Sequence, residues 1–205
     1  VSRRTYDDMD AELLLRIANR TDITAGMRGF FLNDAYLKVA NEFDHAELQG
    51  LVSETVTVGN SSLTPTVTDI WWPDLVKDVT NAKLLTVADK EQIVGVVLPN
   101  GPPSRFYWYG EVFYLDSRPL VNTSIGIWYV KHPVELVSGV ASVLDPIFDP
   151  LIVMFAAQLA FETGRDFAEA HIQEVTANNY VARQRLPLRE AKKNDYRTGI
   201  RVRMR

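Results

Sequence analysis

Apolar positions recur at helical spacing toward both ends of this chain and alternate in its middle. Leu13, Leu14, Ile17 and Ala18 give one face to a first helix, which Asp7 or Asp8 can cap and which runs to about Asn19. Thr21 or Asp22 is placed to cap a second, from Ile23 to about Phe43, with a broad stripe of Met27, Phe30, Phe31, Ala35, Leu37, Val39 and Phe43. Gly26 and Gly29 weaken its first turns and leave room for another backbone to approach. From Leu51 to Val58 the period changes to two, with Val52, Val56 and Val58 among polar neighbours, as in a half-buried strand. Gly59–Ser62 reads as a turn, Thr and Val dominate up to Trp71, and Pro99–Pro103 is a loop.

The strongest local signal is Arg105 to Leu115, RFYWYGEVFYL, which predicts a tight hairpin of two aromatic strands about Gly110. Its aromatics Phe106, Tyr107, Trp108, Tyr109, Phe113 and Tyr114 are either core and cross-strand pairs of a sheet or a stacking platform for sugars or bases. Thr123 to Lys131 follows as a strand, with Ile125, Ile127 and Tyr129 on one face and Trp128 and Val130 on the other. Helix then returns. Asp145-Pro146 and Asp149-Pro150 are two starts with Pro in the first turn. Leu151 to Glu162 is apolar nearly all round, which requires burial on several sides, and Gly164 ends it. Asp166 with Glu169 opens a last helix to about Arg185, with Phe167, Ala170, Val175 and Val181 near one side and Asn178-Asn179-Tyr180 weakening its middle.

The fold class expected is therefore α+β. A four-helix body is formed by the terminal segments 1–50 and 138–186, around an inserted small antiparallel β region, 51–137. An extended C-terminal arm occupies 187–205.

Charge singles out the arm. The chain is net −4, yet nine basic and only two acidic residues lie from Arg183 onward, leaving 13 basic and 24 acidic residues before it. Arg189, Lys192, Lys193, Arg197, Arg201, Arg203 and Arg205 are interspersed with few apolar residues, chiefly Tyr196, Ile200, Val202 and Met204. Such a segment buries too little to offset an ordering cost of roughly 1–2 kcal/mol per residue, so it takes up structure on another chain or on nucleic acid, or it stays solvated. A basic arm on an acidic body suits an assembly in which each arm reaches a neighbouring acidic surface. Basic arms also bind phosphate without a fold of their own.

Candidate chemistry is sparse. There is no cysteine, so disulfides, thiolate catalysis and Cys-based metal sites are excluded. His45, His132 and His171 stand far apart in sequence. There is no GxSxG elbow and no GxxxxGK[ST] loop. Asp7, Asp8 and Asp10 cluster where a helix N-terminus attracts acids in any case. No enzyme, cofactor or metal is expected. The longest apolar run, Leu151 to Ala157, is shorter than the ~20 residues of a membrane span. The first residues lack the apolar stretch of a signal peptide, so no membrane partner and no secretory export are expected.

Two segments resemble the phage head-to-tail adaptor (connector) family. One is Pro102 to Leu136, PPSRFYWYGEVFYLDSRPLVNTSIGIWYVKHPVEL, similar to that family's Pro-aromatic lead, Gly-centred hairpin and Tyr-to-Pro strand exit. The other is Asp145 to Arg185, similar to its closing helix pair. Trp72-Pro73-Asp74-Leu75 looks like the proline-aspartate corner before its middle strand. The Gly-rich start of the second helix and the very aromatic hairpin depart from the family pattern. The resemblance implies a structural virion protein, made in the host cytoplasm and placed at the head-to-tail interface. It implies a homo-oligomeric ring, commonly of twelve copies, between the portal protein and a tail nozzle or stopper protein. Genomic DNA passes through its channel without sequence-specific binding. The portal-binding residues it implies are Arg189, Lys192, Lys193, Tyr196, Arg197, Ile200, Arg201, Val202, Arg203, Met204 and Arg205. Two alternatives stay open: a tail-associated glycan-binding or cell-wall-degrading protein that uses the aromatic hairpin, and a nucleic-acid-binding protein that uses the arm.

Overall fold

The computed structural model describes residues 3–18, 20–43, 45–184 and 186. They divide into two compact units. A helical unit takes the described residues up to Leu48 and those from Pro133 onward, and a β unit takes Gln49–His132. The expected seams were 50/51 and 137/138.

In the helical unit, α1 spans Tyr6–Arg16 and α2 spans Ala25–Glu42. The cap of α1 is Thr5. Its hydroxyl accepts from Asp8 N–H while the Asp8 carboxylate accepts from Thr5 N–H, a reciprocal box that holds Asp8 below its usual range. Thr24, and neither Thr21 nor Asp22, caps α2 through Met27 N–H. The buried side of α1 is Met9, Leu13 and Ile17, and that of α2 is Phe31, Leu32, Ala35, Tyr36, Val39 and Ala40. A paired ion contact joins the two helices, with Arg28 Nε 2.7 Å from one Asp10 oxygen and Nη2 2.9 Å from the other. Gly29 faces the Tyr6 hydroxyl, so it accommodates a side chain and not the backbone expected there.

The last two helices of this unit are α4, Asp149–Thr163, and α5, Phe167–Gln184. Asp145 caps a short 3-10 turn, Pro146–Phe148, that leads into α4. Nine apolar side chains of α4 are buried, from Leu151 to Phe161, as its unbroken apolar character requires. Pro146–Thr163 is long and apolar enough by composition to cross a membrane, but it is the packed core of this unit, covered by α1, α2 and α5. Lys38 of α2 adds a cation–π contact, 3.8 Å above the Phe155 ring.

The β unit corrects the expected fold. Its strands are β1 (Gln49–Val56), β2 (Ser62–Leu63), β3 (Ile70–Asp78), β4 (Lys83–Val87), β5 (Arg105–Tyr109), β6 (Val112–Leu115) and β7 (Thr123–Lys131). They form one seven-stranded mixed sheet in the order β1-β7-β3-β4-β5-β6-β2, nearly closed into a barrel. A four-residue helix, α3 (Lys90–Ile93), is the fifth among the described residues. A four-helix body with a small antiparallel insert does not fit this arrangement. The sheet is larger than expected, and β4 and β5 pair in parallel. The strands that the alternation rule passes over are β2 to β4. In β3, Pro73 sits mid-strand and the register shifts twice, between Ile70 and Trp72 and between Pro73 and Leu75, which destroys a clean period of two. Trp72-Pro73-Asp74-Leu75 therefore lies inside a strand and is not a corner.

The ends of the strand order are also neighbours in sequence. Glu54 of β1 accepts from both the amide and the hydroxyl of Thr66, just beyond β2, at 2.7 and 2.6 Å, and draws those ends together. Inside lie Val56, Leu63, Val76, Leu85, Phe106, Phe113, Leu115, Ile125, Ile127 and Tyr129. The Tyr129 ring lies on its cross-strand partner Gly50, where an added methyl would sit 2.5 Å from ring carbon, so only glycine fits.

Two outcomes follow from this packing. Phe113→Ala, at a fully buried position, is expected to lower unfolding free energy by about 3–5 kcal/mol in a denaturant titration, whereas Leu15→Ala on the exposed side of α1 should change it by less than about 0.5 kcal/mol. Asp149 is buried, and that burial pushes its carboxyl above the usual range despite a hydrogen bond from Arg4 N–H. A raised folded value means the native state holds its proton longer. Stability should fall as pH rises from the unfolded value near 3.8 through the higher folded one, and Asp149→Asn should remove that part of the pH profile.

Candidate functional site

The aromatic hairpin resolves into two faces. Strands β5 and β6 pair as Phe106↔Leu115, Tyr107↔Tyr114, Trp108↔Phe113 and Tyr109↔Val112. Alternation sends Phe106, Trp108 and Phe113 toward the barrel interior. Phe106 and Phe113 are fully buried and Trp108 packs partly buried against them. Tyr107, Tyr109 and Tyr114 point outward. The rings of Tyr107 and Tyr109 are 6.3 Å apart and nearly parallel, at 12°, and Tyr114 lies 6.4 Å from Tyr107. Tyr109 is 64% exposed, with Lys90 Nζ 5.8 Å from its ring centre. Burial, with Tyr109, Glu91 and Tyr114 nearby, pushes the Tyr107 hydroxyl up. The two-residue turn places both Gly110 and Glu111 at positive φ, 58° and 64°, the twist that suits a tight hairpin. A row of outward phenol rings offers flat apolar faces with polar tips, the surface on which sugar rings or bases stack.

The root of the hairpin is fixed by one carboxylate. Asp116 accepts from Ser104 N–H at 2.8 Å, from Ser104 Oγ at 2.6 Å and from Arg105 Nε at 3.2 Å. Burial alone pushes this carboxyl up, but the Ser104 and Arg105 donors outweigh it and hold Asp116 below the usual range. Arg105 also donates to Gln92 Oε1 at 3.2 Å, so α3 and the tyrosine row share one base.

The helical unit presents a second surface. A cleft of about 490 Å³ is lined by Tyr6, Gly26, Gly29, Phe30, Asn33 and the segment Glu135–Ser138. Asn33 shapes it by accepting from Leu136 N–H at 2.7 Å and donating to Leu136 O at 3.1 Å. Asp7 holds the neighbouring turn through Ser138 Oγ and Gly139 N–H, each at 2.9 Å. Phe30 stands 68% exposed on the cleft wall. On α5 only Ala170 and Ala177 are buried, while Phe167, Ile172 and Val175 face outward. The sequence puts Phe30 in the broad apolar stripe of α2, and Phe167 and Val175 near the same side of α5 as Ala170. Apolar residues occur on both sides of α2 and α5, so periodicity alone could not choose. The two alanines seven residues apart were the available sign of a close-packed side.

The remaining candidates separate. Asp7, Asp8 and Asp10 serve a turn, a cap and an ion pair. His45 is buried, with Nε2 3.1 Å from Val39 O. The ring of His132 packs 5.2 Å from Trp71, and exposed His171 lies 3.4 Å from Glu174. Among the described residues no group of three or more His, Asp or Glu could hold a metal ion. Arg189, Lys192, Lys193, Tyr196, Arg197, Ile200, Arg201, Val202, Arg203, Met204 and Arg205 lie outside the described residues.

Comparison with protein-family models finds none that matches this chain, and comparison with curated proteins finds no match.

Removing Asp116 tests the hairpin root. Asp116→Ala should cost about 1.5–3 kcal/mol in chemical denaturation, since it leaves Ser104 and Arg105 without their charged acceptor. A depressed folded pKa adds stability that is present above the unfolded value and lost as pH falls through the folded one. The wild type should therefore lose this contribution in acid below the ordinary carboxylate range, and the variant should not.

Proposed function

We propose that this chain is a structural subunit of a phage head-to-tail adaptor, assembling as a ring of copies between a portal and a tail nozzle or stopper around a DNA channel. The observation that carries the reading is α5. This helix turns two alanines inward and leaves Phe167, Ile172 and Val175 exposed on its other side. Solvent-facing apolar residues grouped on one helix are expected of a surface that another chain covers. The charge distribution supports the same reading. An acidic body makes few phosphate-neutralising contacts, so DNA can slide past it without adhering. The basic segment from Arg189 to Arg205 supplies many weak contacts for docking on the portal, with Tyr196, Ile200, Val202 and Met204 as apolar anchors.

A second reading is favoured by the row of Tyr107, Tyr109 and Tyr114, which suits glycan binding by a tail-associated protein. Mass measurement of the purified chain, alone and mixed with portal, separates the two. The adaptor reading expects a multi-subunit species and a stable portal complex, and a chain that stays monomeric and ignores portal but retains on a glycan column sinks it. Deletion of residues 189–205 should abolish portal docking, while single Lys or Arg changes there should be tolerated. If truncation spares docking and instead removes duplex-DNA affinity with a log–log salt slope of about −0.9 per phosphate, the arm is a nucleic-acid binder.

A further inference from the structure

The outward face of the β5–β6 hairpin carries more than its three tyrosines. Helix α3 packs beside β5 and sets polar groups at the margin of that face. Lys90 Nζ stands 5.8 Å from the Tyr109 ring centre, and the Glu91 carboxylate lies near enough to Tyr107 to help push its hydroxyl up. Gln92 accepts from Arg105 and ties α3 to the root of the hairpin. The platform is also stiff. Phe106, Trp108 and Phe113, on the reverse side of the same two strands, are anchored in the barrel core. Tyrosine has few rotatable bonds, so a ring held this way loses little freedom when a ligand covers it.

Charge decides between the two kinds of ring that stack on such a surface. Nucleic acid needs cations in excess, because its phosphates must be neutralised as the bases stack. Here the cations are outnumbered. Arg105 is held by Asp116, Lys90 sits between exposed Asp89 and Glu91 in the chain, and exposed Glu111 adds a carboxylate at the hairpin turn. A polyanion is repelled by this set, whereas a neutral sugar is not. Sugars whose ring hydroxyls are equatorial, as in β-linked glucose and N-acetylglucosamine, present flat faces of C–H bonds ringed by hydroxyls. The flat faces suit the phenol rings. The hydroxyls find a donor in the Lys90 ammonium and an acceptor in the Glu91 carboxylate.

We propose that Tyr107 and Tyr109 bind a neutral, β-linked glycan of glucose-type sugars, with successive units over the two parallel rings and Lys90 and Glu91 hydrogen-bonding their hydroxyls. Tyr114, across the hairpin from Tyr107, widens the platform beneath one unit. The site rests on the glycan reading, to which it adds the class of sugar and the residues that hold it, and it does not need the portal.

Calorimetric titration of the full chain tests it, with cellohexaose, chitohexaose, a hexamer of alginate uronic acids and a single-stranded thymidine hexanucleotide as probes. At least one neutral hexamer should bind, and more tightly than its own disaccharide, while the two anionic probes should not. Tyr109→Ala should weaken that binding roughly tenfold or more without moving the melting temperature, since the ring is exposed, and Tyr109→Phe should hold it within about threefold. Glu91→Ala should also weaken it, with the fold unchanged. Failure of both neutral hexamers to bind, tighter binding of either anionic probe, or full affinity in Tyr109→Ala would overturn the site. Binding of the alginate hexamer, or neutral binding indifferent to Tyr109→Ala, removes this site and leaves the glycan reading standing. Silence toward every sugar removes both.

Discussion

The helical unit depends on one constraint: α4 has almost no side that tolerates water. Its buried residues run through every turn from Leu151 to Phe161. Each buried Leu, Ile, Val, Met or Phe among them is worth about 1.5–3 kcal/mol when removed from solvent, so the rest of the unit is arranged to enclose it. Helices α1 and α2 bring Leu13, Ile17, Leu32, Ala35 and Val39 to the buried core around it, and α5 brings small residues that allow close approach. The polar ties between elements, Arg28 with Asp10 and Asn33 with Leu136, lock that enclosure without adding apolar surface. What α4 does not use is left on the outside of α5, the side that the proposed ring would cover.

The β unit obeys a different constraint. A two-faced hairpin must choose which of its aromatics the barrel takes, and the period of two makes the choice. Phe106 and Phe113 belong inside because their pairing partners also face inward, and the intervening Tyr107 and Tyr109 are forced out. The outward set carries hydroxyls and the inward set is mainly hydrocarbon, so residue type and position agree. Asp116 then fixes where the hairpin starts, and the register of the inward rings follows from it.

How much could be read from the sequence follows from how regular each segment is. The aromatic hairpin, the strand from Thr123 to Lys131 and the all-apolar helix after Asp149 are legible because period and turn residues agree there. Helix starts shifted by a few residues because Thr5 and Thr24 compete with nearby Asp and Thr for the same amides. The size of the sheet was not legible. Pro73 and two register shifts erase the alternation in β3, and the parallel pairing of β4 with β5 joins residues that no local rule connects. At the candidate surfaces the residue types were recognised but their orientation was not, since Phe30, Phe167 and Val175 look the same in sequence whether they face a core or a partner.

The register between β1 and β7 also governs how the chain can fold. Gln49, the first residue of the β unit, is paired with Val130, near its last. Paired residues on neighbouring antiparallel strands sit only about 5 Å apart. A β unit that folds first therefore closes a long loop by itself and returns the chain close to where it left the helical segments. The later helices then meet α1 and α2 as if joined by a short link, and the entropy of closing that loop is already met by β-sheet pairing. Because the β unit is contiguous and the helical unit is not, synthesis from the N-terminus would complete the barrel while α4 is still to come. The first two helices would wait, with their apolar faces unfilled, for the element that makes them stable.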